Sequence, residues 1–319
     1  MMVQNKKSRR IDKSSDVHPR RMNARPRLGA VETGGTKIVC AVGDIDGNIT
    51  ERTIIPTDVP DVSVPKVIDF FRDKDIDAIG IGAFGPIDVI QGSPGYGRIR
   101  KCERKGWSGY DLLGTVCREL GIPGDMDTDV NTACLGEYTF GAGRGAEILL
   151  YITVGTGIGV GITIGGKPLH GMMHPEGGHV AAVRHPDDDF SGTCPFHGDC
   201  IEGVACGPAI KGRWGEEGRE LEDQPEVWEM ESHYLAQLVR NCMMTVAPNR
   251  IVMGGGVMQQ TRLFPLIREK VIDQVNGYMD CPETSDMERY IVPSALGGDQ
   301  ALLGGFVLAG TALEGRGLR

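Results

Sequence analysis

No apolar run in this 319-residue chain approaches the roughly 20 residues that a membrane-spanning helix needs. A membrane protein is therefore not expected. A secretory leader is also missing from the pattern, and the nine cysteines are odd in number and mostly scattered, so they read as reduced thiols of a cytoplasmic protein rather than as a disulfide framework. Charge of one sign is short in the body of the chain. Residues 1–27 hold nine Lys/Arg against Asp12 and Asp16, which is +7 in a chain whose net charge is −9, so the remainder is acidic and unsuited to polyanions. The basic head itself lacks aromatic interleaving and helical or strand period, and it is too short for a helix-turn-helix domain. It reads as a disordered tail, with no nucleic-acid partner.

Glycine is what the chain has in excess, 47 residues, many clustered beside apolar runs. From Leu28 the order is apolar run, glycine turn, apolar run, which predicts strands joined by turns at 33–36 and 46–48. The turn Gly34-Gly35-Thr36 leads into a strand and not a helix, so it is no Walker loop, yet its backbone N–H groups can cradle a phosphate. A second copy of the arrangement runs over 148–169, with Gly155-Thr156-Gly157 in the corresponding turn. Two such hairpins predict a duplicated α/β fold whose halves face each other across a polyphosphate.

Between the copies, Val64, Val67, Ile68 and Phe71 fall at helical spacing behind Ser63 as a cap, and Leu112, Leu113, Val116 and Leu120 make a second apolar stripe. Both are read as core. Asp127-Thr128-Asp129-Val130-Asn131 opens a further helix, where a carboxylate at a strand end suits proton transfer, while Asp129 or Asn131 serves equally well as a plain cap. Later, residues 251–253 form a buried strand running into Gly254-Gly255-Gly256, a position where α/β sheets receive nucleotides. Residues 262–275 read as helix, 220–225 and 280–288 as loops, and a last apolar helix spans about 298–310.

The stretch 174–202 concentrates Glu176, His179, Cys194, His197, Cys200 and Glu202. Cys194-x-x-His197-x-x-Cys200 places two thiolates and an imidazole on one loop, with His179 fifteen residues upstream as fourth ligand. Four N/S ligands suit tetrahedral Zn²⁺, and a site with no open position is structural. Chance pairing among nine cysteines is the competing account. Two spacings of three, with Pro195 and Gly198 shaping the turn, weigh against it.

These motifs together resemble the sugar kinases of the ROK family (repressors, open reading frames, kinases), in particular its zinc-containing bacterial fructokinase branch. The resemblance rests on ETGGTK at 32–37, GAFGPID at 82–88, DTDVNTACLGE at 127–137, TVGTGIGVG at 153–161, HPEGGH at 174–179, CPFHGDCIEG at 194–203, IVMGGGVM at 251–258 and GGDQALLGG at 297–305. It implies an actin-like ATPase (ribonuclease-H-like) fold of two domains, a smaller one over 28–126 that takes back the last helix and a larger one over 127–297. It also implies ATP-dependent conversion of fructose to fructose 6-phosphate with Mg²⁺, Asp129 as general base, and Glu176, His179 and Glu202 on sugar hydroxyls. His179 doubles as a zinc ligand. Gly34, Gly35, Thr36 and Lys37 resemble the first phosphate loop, Gly155, Thr156 and Gly157 the second, and Gly254, Gly255 and Gly256 the adenosine side. A homodimer is expected on the same ground.

The chain departs from the family's commonest pattern in three respects. Glu32 stands where Asp is usual, Cys102-Glu103-Arg104 stands where the branch carries Thr-Pro-Lys, and His197 and Thr128 replace a Cys and an Asn of the family's glucokinases. The last pair favours the fructokinase branch. Mannose, glucose and N-acetylmannosamine are the alternative substrates, and a non-catalytic sugar-sensing regulator is the alternative of another class.

Overall fold

The computed structural model describes residues 25–316. The expected basic tail lies outside them apart from its last three residues.

Three strands open the fold, β1 (Leu28–Thr33), β2 (Lys37–Gly43) and β3 (Ile49–Pro56), followed by α1 (Pro60–Phe71), β4 (Ala78–Ala83), α2 (Leu112–Leu120), β5 (Gly124–Thr128) and α3 (Asp129–Phe140). The series then repeats with β6 (Ile148–Val154), β7 (Ile158–Ile164) and β8 (Lys167–Pro168). After them come α4 (Ile201–Ala205), α5 (Gly207–Trp214), α6 (Pro225–Val246), β9 (Arg250–Gly254), α7 (Leu263–Val275), α8 (Met287–Tyr290), β10 (Ile291–Pro293) and α9 (Gln300–Arg316).

The central strands β1 and β4 are nearly continuous small apolar runs and are buried along their length, whereas the edge strand β3 alternates exposed and covered residues. One sheet has the order β3-β2-β1-β4-β5 and the other β10-β9-β6-β7-β8. Read from its other edge, the second order is the first repeated. The pairing sense repeats as well, antiparallel for β1–β2 and β6–β7, parallel for β1–β4, β4–β5, β6–β9 and β9–β10. The duplication expected from the two glycine hairpins is present at the level of hydrogen-bonded topology. The first sheet closes on Thr128, so the segment that follows it starts α3.

Several sequence expectations shift. Helix α1 starts at Pro60, not behind Ser63: proline at the first helical position has no N–H to lose, and Ser63 instead lies buried inside the helix with its Oγ accepting the Asp58 N–H at 2.8 Å. Helix α6 likewise starts on a proline, Pro225, the last residue of the stretch read as loop, and α9 runs on to Arg316, six residues past the expected end. The 280–288 stretch ends in the single turn of α8, capped by Asp286 on the Arg289 N–H at 3.2 Å. Helices α4 and α5 were not foreseen. Each is too short to show an amphipathic period.

Helices α3 and α9 lie side by side, α9 against β1 and β4 and α3 against β6 and β7, so the pair stands between the sheets. Glycine permits the approach. A Cβ on Gly304 would lie 1.7 Å from the Thr132 carbonyl oxygen, one on Gly136 2.0 Å from that of Gln300, and one on Gly80 of β4 1.9 Å from that of Gly305. Backbone cannot yield as a side-chain tip can. Gly304→Ala is therefore expected to cost about 2 kcal/mol or more, since overpacking a filled interior costs about 1–3 kcal/mol. Gly315→Ala, where nothing lies within 4 Å, is expected to be neutral or slightly stabilising. Urea denaturation midpoints of the two variants check this.

Candidate active site

The end of β5 delivers the acidic segment. Asp127 points into the interior, its side chain 2% exposed, and is saturated: Oδ1 accepts the Thr128 N–H at 2.7 Å and Asn131 Nδ2 at 2.8 Å, and Oδ2 lies 2.8 Å from His170 Nε2. This bond holds His170 above its ordinary pKa against the opposing pull of burial. Thr128 takes the capping role that the sequence left between Asp129 and Asn131, accepting the Asn131 N–H at 3.1 Å. Asp129 is thereby released from capping. It accepts the Val130 N–H at 2.8 Å, and burial pushes its carboxyl up to about 6, helped by Glu176 and opposed by that N–H and by Arg104.

The first glycine turn is closed by Gly34 N–H on the Lys37 carbonyl at 2.8 Å and is braced from outside by Thr57 Oγ1 on the Gly34 carbonyl at 2.9 Å. Gly35, Thr36 and Lys37 are exposed. Beside the turn, Glu32 is pushed up to about 7, by burial first and by Asp129 second, with Lys37 pulling the other way. The Glu32 carboxyl group thus lies within the electrostatic reach of Asp129.

The second turn carries Gly155 N–H on the Gly157 carbonyl at 2.9 Å, and the Gly155 carbonyl accepts the Gly207 N–H at 2.7 Å, which brings the start of α5 to it. Gly155 and Thr156 line a cavity of about 980 Å³ together with Gly207, Lys211, Gly256 and Gln260. The three glycines after β9 divide their work. A Cβ on Gly254 would meet Tyr151 Oη at 2.3 Å, and one on Gly255, at φ +94°, would meet the Val154 carbonyl oxygen at 2.4 Å, while around Gly256 nothing lies within 4 Å. Gly254 and Gly255 let the turn pack under β6, and Gly256 faces the cavity.

The third component is the 174–202 stretch. His179 Nδ1 stands 3.7 Å from Cys194 Sγ and 3.5 Å from Cys200 Sγ, and His197 Nδ1 3.6 Å from Cys194 Sγ. All four candidate ligand atoms lie within 4.8 Å of one another. With metal–N and metal–S bonds of about 2.0 and 2.3 Å, a tetrahedral N···S edge is about 3.5 Å. The quartet therefore has the spacing of a metal site. Its loop is closed by Cys194 N–H on the Gly198 carbonyl at 3.1 Å and the reverse bond at 2.9 Å, with Gly198 at φ +66°.

Glu202, at the start of α4, reaches out of this loop. Its Oε2 accepts the Ile158 N–H at 2.9 Å, just past the second glycine turn, and its Oε1 lies 3.8 Å from His179 Nδ1. Glu176 remains 44% exposed on its side chain, with its carboxyl pushed up to about 7 by burial and by Glu202. Buried His174 accepts the Ile87 N–H on Nε2 at 3.1 Å and turns Nδ1 to Glu176 Oε1 at 3.3 Å. It ties the 82–88 turn to the 174–179 loop.

A family model described as the ROK family matches residues 28–312. The chain belongs to the ROK family. A Bacillus subtilis protein is 48% identical over 90% of this chain and 96% of its own length. The fructokinase of Pediococcus pentosaceus is 42% identical over 90% of this chain and 99% of its own. Among solved structures, the ROK hexokinase of Thermus thermophilus superimposes with a TM-score of 0.72 at 24% identity, covering 91% of this chain and 99% of that one. The duplicated sheets are those of the two-domain actin-like, ribonuclease-H-like ATPase fold.

Sequence reasoning passed over four groups of this ROK protein's site. His174 sat inside the quoted HPEGGH motif, but its contact with Ile87 spans 87 residues and leaves no local trace. His170, Arg104 and the start of α5 at Gly207 likewise act through distant partners. The division among the glycines yields a test. Gly255→Ala is expected to cost about 2 kcal/mol or more, from a left-handed backbone and a backbone clash, whereas Gly256→Ala leaves the melting temperature near wild type. Thermal melts of both variants decide it.

Proposed function

We propose that this protein is an ATP-dependent fructokinase (EC 2.7.1.4), transferring the γ-phosphoryl group of ATP to the 6-hydroxyl of fructose with Asp129 as general base. The observation that carries the reading is Asp129 itself. It is spared from capping, sits at a strand end on the same side as the first glycine turn and Glu176, and is tuned to about 6. A base with its pKa near the working pH accepts a proton readily and is still ionised. Relatives of 37–48% identity over most of the chain, four of them fructokinases by name, support the substrate.

In the reaction the sugar 6-hydroxyl oxygen forms the new O–P bond as its proton passes to Asp129, and the bond between the γ-phosphorus and the β,γ-bridging oxygen breaks, its electron pair leaving on ADP. Such a transfer asks the protein for in-line placement and charge balance more than for covalent help. The turn Gly34–Lys37 and the turn Gly155–Gly157 supply backbone N–H groups for the phosphates, and the cavity beside Gly256 accommodates the adenosine. Mg²⁺ enters with the nucleotide and offsets phosphate charge. Glu176, His179 and Glu202 orient the sugar hydroxyls, and closure of the smaller domain over the larger excludes water as a competing acceptor.

His179, Cys194, His197 and Cys200 hold a structural Zn²⁺, which when bound fixes the loop that carries Glu202. Its four protein ligands leave no open position, so it takes no part in the transfer. No helix among the described residues is long and apolar enough to cross a membrane. No disulfide joins any of the cysteines among the described residues, which fits the cytoplasm, and the protein assembles as a homodimer.

A coupled ADP-release assay with MgATP is expected to rank fructose above mannose, glucose and N-acetylmannosamine. Binding of a sugar without turnover by the wild type would instead indicate a sugar-sensing regulator. Asp129→Asn is expected to lower kcat about 10³-fold, within the about 10²–10⁴ that a positioned base contributes. The acid limb of kcat/KM should fall through about pH 6, because the base is useful only when ionised and its carboxyl is raised to about 6. Elemental analysis should find zinc at one equivalent per chain, lost in Cys200→Ser together with thermal stability; a metal-free wild type of undiminished stability would sink the zinc assignment.

A further inference from the structure

Arg104 lies in one of the segments where this chain departs from the pattern of the branch it resembles, and the structure places its side chain against the first glycine turn. The guanidinium stacks over the Phe84 ring at 4.6 Å, donates from Nη1 to the Gly35 carbonyl at 2.9 Å, and brings Nη2 to 2.5 Å from where a Cβ on Gly35 would stand. Its platform is rigid. Phe84 is hydrogen-bonded through its N–H to Thr33 and packs edge-on against Trp107 at 5.1 Å; Trp107 is buried and donates from Nε1 to the Asp58 carbonyl at 2.8 Å.

We propose that Arg104 is a positioning residue of the phosphoryl transfer, pinning the first glycine turn to the 98–107 loop and supplying the positive charge that keeps Asp129 available as a base. The inference rests on Asp129 being that base. The carboxylates coupled to Asp129 are Glu176 from the 174–179 loop, whose Oε1 lies 3.3 Å from His174 Nδ1, and Glu32 from β1, on which Lys37 of β2 and Arg52 of β3 act against Asp299. Burial is the main reason the Asp129 carboxyl is raised, a neighbouring carboxylate adds to it, and the Arg104 cation opposes it. Arginine suits the task because its charge is permanent and its planar fork can hold a carbonyl while it lies flat on a ring.

The test compares Arg104→Gln with the charge-conserving Arg104→Lys, each first shown to be folded by circular dichroism. Carboxyl ¹³C NMR titration, with the Asp129 resonance assigned by its loss in Asp129→Asn, reads the base without any substrate. Its midpoint should rise by about half a pH unit or more in Arg104→Gln and stay near wild type in Arg104→Lys. For a half-unit rise, turnover of Arg104→Gln relative to wild type should fall about 1.5-fold at pH 6.5 and about 2.6-fold at pH 5.5, and recover at pH 8.5, where even a raised Asp129 is ionised. An unmoved midpoint in folded Arg104→Gln, or a loss equal at all pH values, overturns the proposal. If the midpoint moves as expected but wild type does not phosphorylate fructose, the substrate assignment fails and the coupling of Arg104 to Asp129 stands.

Discussion

The contact on which this molecule depends is the backbone-to-backbone approach of α3 and α9. Gly136 and Gly304 let the two helices meet with no side chain between them, and Gly80 lets α9 do the same on β4. Close-packed interiors transmit position instead of absorbing it. The helix that begins with Asp129 is thus registered against the sheet that carries the first glycine turn, while its other face lies on β6 and β7, which carry the second. Glu137 reinforces the register from the far end of α3, accepting the Ala295 N–H at 3.0 Å and the Ala142 N–H at 2.8 Å.

Within that frame the electrostatics run against stability. Glu32, Asp129 and Glu176 are all raised, to about 7, 6 and 7. A carboxyl raised in the folded state binds its proton more tightly there than in the unfolded chain, so the stabilising contribution is full below the unfolded pKa and is lost as pH rises through the folded one. Between about pH 4 and 7 these groups progressively oppose folding as they ionise. A cluster of acidic groups retained under such a cost is an arrangement kept for chemistry.

Much of this was legible in the sequence because it is local. The strands, the glycine hairpins and their duplication follow from periodicity over ten or twenty residues, and the metal quartet follows from ligand types on one loop with a single residue upstream. What stayed hidden depends on partners far along the chain or on competition between neighbours. Thr128, not Asp129, caps α3, a choice among adjacent residues that only backbone dihedrals settle. The Gly254-Gly255-Gly256 run reads as one motif, yet a tyrosine hydroxyl and a carbonyl from β6 claim the first two residues for packing. Arg104 meets a turn 69 residues away, and nothing in its immediate sequence says so.

The bond from Ile158 N–H to Glu202 has a thermodynamic consequence. It is the short path between the thiol-rich loop and the second glycine turn, and free-energy coupling between two sites is reciprocal. On the proposed reading, if a ligand of the loop changes the affinity of the turn for an anion by some factor, the anion changes the affinity of the loop for its ligand by that same factor. Any such coupling would run through a carboxylate that touches both.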